Sequence, residues 1–137
     1  MLRLIRNREE SNKANTMHKH RVLIVEDHDG MRMALCGLFR KVGWEVVGVG
    51  TVAEGLAALD SPHDCALVDL NLPDGQGEAI VRKVKAAQLP TCVTVICTAT
   101  ADEARIKAVE ALGPQALLRK PVEFGDLFAA CNTTADA

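Results

Sequence analysis

No tyrosine, no paired-cysteine motif and no long apolar run occur among the 137 residues, and the net charge is only −2. Each absence removes a class of function. Without a basic excess there is no electrostatic footprint for nucleic acid or an anionic membrane surface. The longest apolar runs, such as Val22 to Val25 and Cys65 to Val68, fall far short of the roughly 20 residues a membrane span requires. Five cysteines at 36, 65, 92, 97 and 131 form no CxxC pair and no cluster with histidine at metal-ligand spacing. They read as small core residues of a protein in a reducing cytoplasm, where thiols need no partners. The apolar stretch Leu2 to Ile5 is broken by Arg3 and is too short for a signal-peptide core. No GxGxxG or Walker sequence is present, so Gly75 and Gly77 read as a turn and a helix start.

What is present fits one domain, long enough to bury a core without disulfides or a structural metal. Residues 1–20 are polar and basic without sustained periodicity and read as a disordered tail, with Met17 as an alternative physiological start. From residue 21 to 131 the chain alternates between two periodicities. Five runs, Val22 to Val25, Glu45 to Val49, Cys65 to Val68, Cys92 to Cys97 and Ala116 to Leu118, have the Val, Ile and Leu content of strands buried on both faces. Between them Met31, Leu35, Leu38, Phe39 and Val42 recur at helical spacing, as do Phe124, Leu127, Phe128 and Cys131. Thr51 is placed to cap a helix beginning near Val52, with Ser61-Pro62 beyond its end. Further helices are expected near Glu78 to Ala86 and Asp102 to Leu112. Five strand-then-helix units predict an α/β fold, a parallel five-stranded sheet wound on both faces by helices. Residues 132–137 form a short polar tail.

In such a sheet the loops at the carboxyl ends of the strands meet in one crevice. Glu26 and Asp27 end the first strand, Asp69 the third, Thr98 the fourth and Lys120 the fifth. Three carboxylates gathered there repel one another unless a cation neutralises them. Oxygen ligands without histidine or thiolate select a hard ion, and few protein ligands with retained water favour Mg²⁺ over Ca²⁺. A metal, a lysine and a hydroxyl together suit the oxygens of a transferring phosphoryl group, with one carboxylate left to attack.

The segments VLIVEDHD, LVDLNLPDGQG, VICTAT and LLRKP, in this order and at the ends of successive strands, resemble the receiver domain of two-component response regulators. The resemblance covers about Arg21 to Cys131. It implies a flavodoxin-like, CheY-like (βα)5 fold with strand order 2-1-3-4-5. By the same resemblance Asp69 is the phosphoacceptor, attacking a phosphohistidine on a sensor histidine kinase or a histidine phosphotransfer protein. Asp27 binds Mg²⁺ (or Mn²⁺) directly, Glu26 orients it through water, and the backbone carbonyl of Asn71 supplies a further ligand. Thr98, the Ala99 N–H and Lys120 hold the phosphoryl oxygens. A cis bond is implied between Lys120 and Pro121. Asn71 and Thr100 flank the site where attack by water is tuned, and the surface of the fourth helix, fifth strand and fifth helix is where an unidentified downstream protein or a second copy binds.

One position departs from the pattern. Receivers of this kind carry an aromatic three residues before the lysine, and here that residue is Leu117. A leucine offers neither phenol hydroxyl nor aromatic face, so the relay beyond Thr98 must be altered. Two other functions fit parts of the pattern. An aspartate-nucleophile phosphatase needs a second acid two residues after its nucleophile, where this chain has Asn71. A phosphorylation-independent interaction module would keep the fold but not need all five site residues. Singly, each residue also has a plain structural reading. Glu26 or Asp27 could cap the first helix, Asp69 could serve the Pro-Asp-Gly turn, Lys120 could be a surface lysine, and His28 stands too alone to be a metal ligand. The end of the sequence leaves open a protein that acts by binding or a piece of a longer chain.

Overall fold

The structure, a computed structural model, describes residues 19–87 and 92–133. The tail assigned to residues 1–20 falls outside it except for its last two residues, as do Met17 and the end of the C-terminal tail. Among the described residues the chain forms β1 (Arg21–Val25), α1 (Asp29–Lys41), β2 (Glu45–Val49), α2 (Val52–Ala58), β3 (Cys65–Val68), β4 (Asn71–Leu72), β5 (Gly75–Gln76), α3 (Glu78–Ala86), β6 (Val93–Thr98), α4 (Glu103–Ala111), β7 (Ala116–Arg119) and α5 (Phe124–Cys131).

Five of these strands make one parallel sheet in the order β2-β1-β3-β6-β7. Counting only those five, this is the expected order 2-1-3-4-5. The apolar runs of β3 and β6 are buried throughout because helices cover both faces. Alternation along the strands divides the core in two. Leu23, Val25, Ala66, Val68 and Ile96 face α2, α3 and α4, whereas Val22, Ile24, Cys65, Leu67 and Val95 face α1 and α5. The second layer holds every phenylalanine and the tryptophan of the chain: Phe39 lies 5.5 Å from Trp44 and 5.1 Å from Phe124, and Trp44 5.7 Å from Phe128. Trp44 is therefore a packing residue. All five cysteines are free and buried, and burial pushes the Cys92 and Cys97 thiols up to about 11, which keeps them protonated and inert.

Two local features differ from expectation. The fourth run is shifted by one residue, to Val93–Thr98, because Thr98 pairs with Arg119 and extends the ladder to the edge of the crevice. The segment after Asp69, read as a turn, is a small antiparallel hairpin of β4 and β5. Its tip residue Asp74 accepts the Val52 and Ala53 N–H groups at 2.8 and 3.0 Å, while Thr51 caps Glu54 N–H at 3.1 Å as expected. The first turn of α2 thus ties the hairpin down, since its unpaired amide donors need acceptors.

Candidate functional site

Glu26 and Asp27 leave β1 as the chain turns into α1, and Asp69 follows β3, the neighbouring strand. Carboxylate oxygens of all three lie within 4.8 Å of one another. Glu26 is buried, Asp69 half-buried and Asp27 exposed, so the cluster opens to solvent on the Asp27 side. All the donors are oxygens, as a hard divalent ion requires. The Asn71 N–H donates to Asp69 Oδ1 at 3.2 Å, which brings the Asn71 backbone beside the cluster.

Lys120 supplies the cation. Its backbone N–H donates to the Thr98 carbonyl at 2.8 Å, prolonging the pairing of β6 and β7. Its ammonium donates to Glu26 Oε1 at 2.6 Å and Asp69 Oδ2 at 3.1 Å. Burial works to lower its pKa, but the hydrogen bonds to Glu26 and Asp69 and the charges of both outweigh that and raise it. The ammonium is thus held charged between two carboxylates. The Lys120–Pro121 bond is cis, as the resemblance implies.

Thr98 ends β6 and is fully buried. Its hydroxyl accepts the Thr100 N–H at 3.2 Å, and the Thr100 hydroxyl in turn accepts the Asp102 N–H at 3.3 Å. Thr98, Ala99 and Thr100 therefore sit in a loop whose hydrogen bonds lead directly into α4, where Asp102 caps the Arg105 N–H at 3.1 Å. Leu117 is half-buried on β7 and packs on the core layer shared with α2, α3 and α4.

Several residues that shape this site carry no role in it by sequence alone. His28, not Glu26 or Asp27, caps α1: its Nδ1 accepts the Met31 N–H at 3.0 Å, and its own N–H donates to Glu26 Oε2 at 3.2 Å. Arg32 on α1 donates to the Glu26 carbonyl at 2.8 Å and pairs with Asp29 at 2.6 Å. Arg105 on α4 forms a two-pronged pair with Glu78 at 2.9 and 2.9 Å, and donates to the Leu70 carbonyl at 2.8 Å and to Asn71 Oδ1. Burial would raise the Glu78 carboxyl, but its bonds to Arg105 prevail and hold it below its ordinary value. Gly77 admits the closest backbone approach at the site, since a Cβ built there would lie 2.1 Å from the Asp69 carbonyl oxygen.

With a parallel sheet of this order and an acid cluster with a lysine at its carboxyl edge, the comparisons with known proteins agree. Residues 22–132 match the response regulator receiver domain family, and the chain belongs to it. Among curated relatives, the sensory/regulatory protein RpfC of Xanthomonas campestris is 33% identical over 121 residues, covering 85% of this chain and 16% of that protein. The transcriptional regulatory protein CutR of Streptomyces coelicolor is 32% identical over 114 residues, covering 80% of this chain and 50% of that protein. The chain thus spans half or less of either relative. A CheY-like response regulator receiver domain protein from Methanospirillum hungatei superposes with a TM-score of 0.77 at 26% identity, covering 82% of this chain and 90% of that one. No helix among the described residues is long and apolar enough to cross a membrane.

Proposed function

We propose that this receiver domain accepts a phosphoryl group on Asp69 from a histidine kinase or histidine phosphotransfer protein, in the cytoplasm, and thereby switches a protein-binding surface. The observation that carries this reading is the meeting of three carboxylates within 4.8 Å with the Lys120 ammonium on two of them. Asp69 is the carboxylate we assign to attack: it bonds the Lys120 ammonium and the Asn71 N–H and is half-buried, where Glu26 is buried and Asp27, among the described residues, has no lysine bond.

Glu26, Asp27, Asp69 and the Asn71 carbonyl would hold Mg²⁺ or Mn²⁺, which supplies positive charge to the equatorial oxygens of the transferring group. The residues of the chain do the rest. An Asp69 oxygen bonds to phosphorus as the phosphorus–nitrogen bond of the phosphohistidine breaks, giving an acyl phosphate and a free imidazole. The Lys120 ammonium then shifts from the Asp69 carboxylate, one of the two it now holds, to a phosphoryl oxygen. Thr98, with the Ala99 N–H, offers donors to the remaining oxygens, and the move of that loop is felt by α4, into which its hydrogen bonds run. An apolar cleft of about 240 Å³ lined by Met31, Leu35, Leu38 and Phe124 reaches Glu26, Asp69 and Lys120, and gives a protein donor a greasy surface to lean on beside the carboxylates.

Incubation with Mg²⁺ and acetyl phosphate, followed by intact mass, tests the reading. A single phosphoryl adduct is expected, and Asp69→Asn abolishes it. An adduct that survives this substitution moves the chemistry to another residue, and the absence of any adduct with either acetyl phosphate or a phosphorylated phosphotransfer protein favours an interaction module without phosphorylation.

A further inference from the structure

The Arg105 guanidinium spends four N–H donors on three residues in two segments of the chain. Nε and Nη2 grip the two oxygens of Glu78 at the start of α3, Nη2 also reaches the Leu70 carbonyl, and Nη1 reaches Asn71 Oδ1. The pair is well shielded, with Arg105 19% and Glu78 8% exposed at the side chain. Glu78 sets the plane of the fork, since two parallel bonds to a carboxylate fix a guanidinium in orientation as well as place. Of the groups it orients, Asn71 is the one beside the phosphoacceptor: its own N–H is bonded to Asp69 Oδ1.

A guanidinium has no acceptor. The amide of Asn71 must therefore turn its oxygen to Arg105, which takes one of that oxygen's two lone pairs and fixes which way the amide faces. Hydrolysis of an acyl phosphate on Asp69 forms a bond from a water oxygen to phosphorus as the phosphorus–oxygen bond to the carboxylate breaks. The products are the free carboxylate and inorganic phosphate, with a proton released to solvent. An attacking water is best aligned by a neighbour that accepts one of its hydrogens. Asn71 Oδ1 is an uncharged acceptor beside Asp69 able to do so, and the Arg105 cation turns it toward α4 and makes it a poorer acceptor.

We propose that Arg105 is a positioning residue that lengthens the life of the phosphorylated state by turning the Asn71 amide oxygen toward α4 and weakening it as an acceptor for the attacking water. The proposal rests on Asp69 being the phosphoacceptor and adds the residue that regulates its dephosphorylation. It also makes signal lifetime depend on α4, because any movement of that helix which withdraws Arg105 releases Asn71.

Decay of the adduct after removal of acetyl phosphate, followed by intact mass in Mg²⁺, tests this. Arg105→Ala and the charge-retaining Arg105→Lys, which lacks the planar fork, should each shorten the half-life at least threefold. Asn71→Ala keeps the backbone carbonyl, and in that background replacement of Arg105 should change the half-life no further. A loss of fold stability alone would not produce this dependence on Asn71. Adducts that form normally but decay at the wild-type rate in both Arg105 variants overturn the proposal, as does a shortening that persists when Asn71 is alanine. No adduct on the wild-type protein would instead remove the Asp69 reading, and this one with it.

Discussion

Replacing Gly77 by alanine adds one methyl group at the point where α3 starts against the Asp69 backbone. The φ of Gly77 is −59°, an ordinary right-handed value, so the effect comes from space and not from backbone preference. The added Cβ would lie 2.1 Å from the Asp69 carbonyl oxygen and 2.9 Å from Val68 Cγ1. To reach 3.0 Å, closer than which real Cβ atoms essentially never come, the two segments must part by about 0.9 Å. Neither yields freely: α3 is anchored by the buried Ile80, Val81 and Val84, and Asp69 by its N–H on the Val25 carbonyl at 3.0 Å. Overpacking of this kind costs ~1–3 kcal/mol, which at a urea slope of about 1–2 kcal/mol/M moves the unfolding midpoint down by roughly 1 M. A shift near 1 Å at a reacting group lowers the rate by about 100-fold, so phosphorylation by acetyl phosphate should fall far more than the loss of folded protein explains. Equilibrium urea unfolding and the initial rate of adduct formation measure the two effects on the same sample. Wild-type values of both would refute the close approach; reduced stability with an unchanged rate would show that α3, not Asp69, gives way.

Lys120→Ala removes a cation that competes with a metal for Glu26 and Asp69, so the variant should bind Mg²⁺ no more weakly than wild type by calorimetry while forming the acyl phosphate more slowly; loss of Mg²⁺ binding would contradict this division of roles. Glu78 has a folded-state pKa depressed below its ordinary 4.5, so its contribution to stability is complete above that value and is lost as the pH falls through the folded-state pKa. Glu78→Gln should therefore be less stable than wild type at neutral pH, with the gap narrowing in acid as the wild-type carboxylate is protonated. Urea midpoints across that range check it, and a gap that stays constant or widens toward low pH would exclude an ionised Glu78–Arg105 pair as its source.

The sheet was legible in the sequence because its central strands β1, β3 and β6 are buried on both faces, which writes each as an apolar run, whereas the edge strands β2 and β7 are only partly buried. Glu26 and Asp69 could be found for the same reason: each is the first polar group after such a run; Lys120 follows its run after one intervening residue, Arg119, and the parallel topology brings the three ends together. The α1 cap was not legible. His28 lies between two aspartates that are better capping residues by type, and only the turn of the chain that sends Glu26 inward leaves the cap to the histidine. The hairpin of β4 and β5 is two residues a side, too short for any period to register. Arg105 and Glu78 are 27 positions apart, and an arginine in a helix rich in charge reads as a solvated face until the fold brings the start of α4 to the start of α3.

Leu117 gives these long-range pairs their importance. In place of an aromatic it contributes only packing to the layer beneath α4, and the four aromatic rings of the chain lie on the opposite face of the sheet, against α1 and α5. A ring-based relay has no ring to use on the α4 side. What the site does have there are two chains of polar contacts into α4, one through Thr98, Thr100 and Asp102 and one through Asn71 and Arg105. On the proposed function a phosphoryl group on Asp69 would add negative charge near two cations, Lys120 after β7 and Arg105 on α4, the second of which already feels the charge of Asp69. Lys120 can follow the new oxygens by moving its stem alone. Arg105 is held by its fork on Glu78 and Leu70, so a pull on it is shared between α3, the Leu70 segment and the helix that carries it.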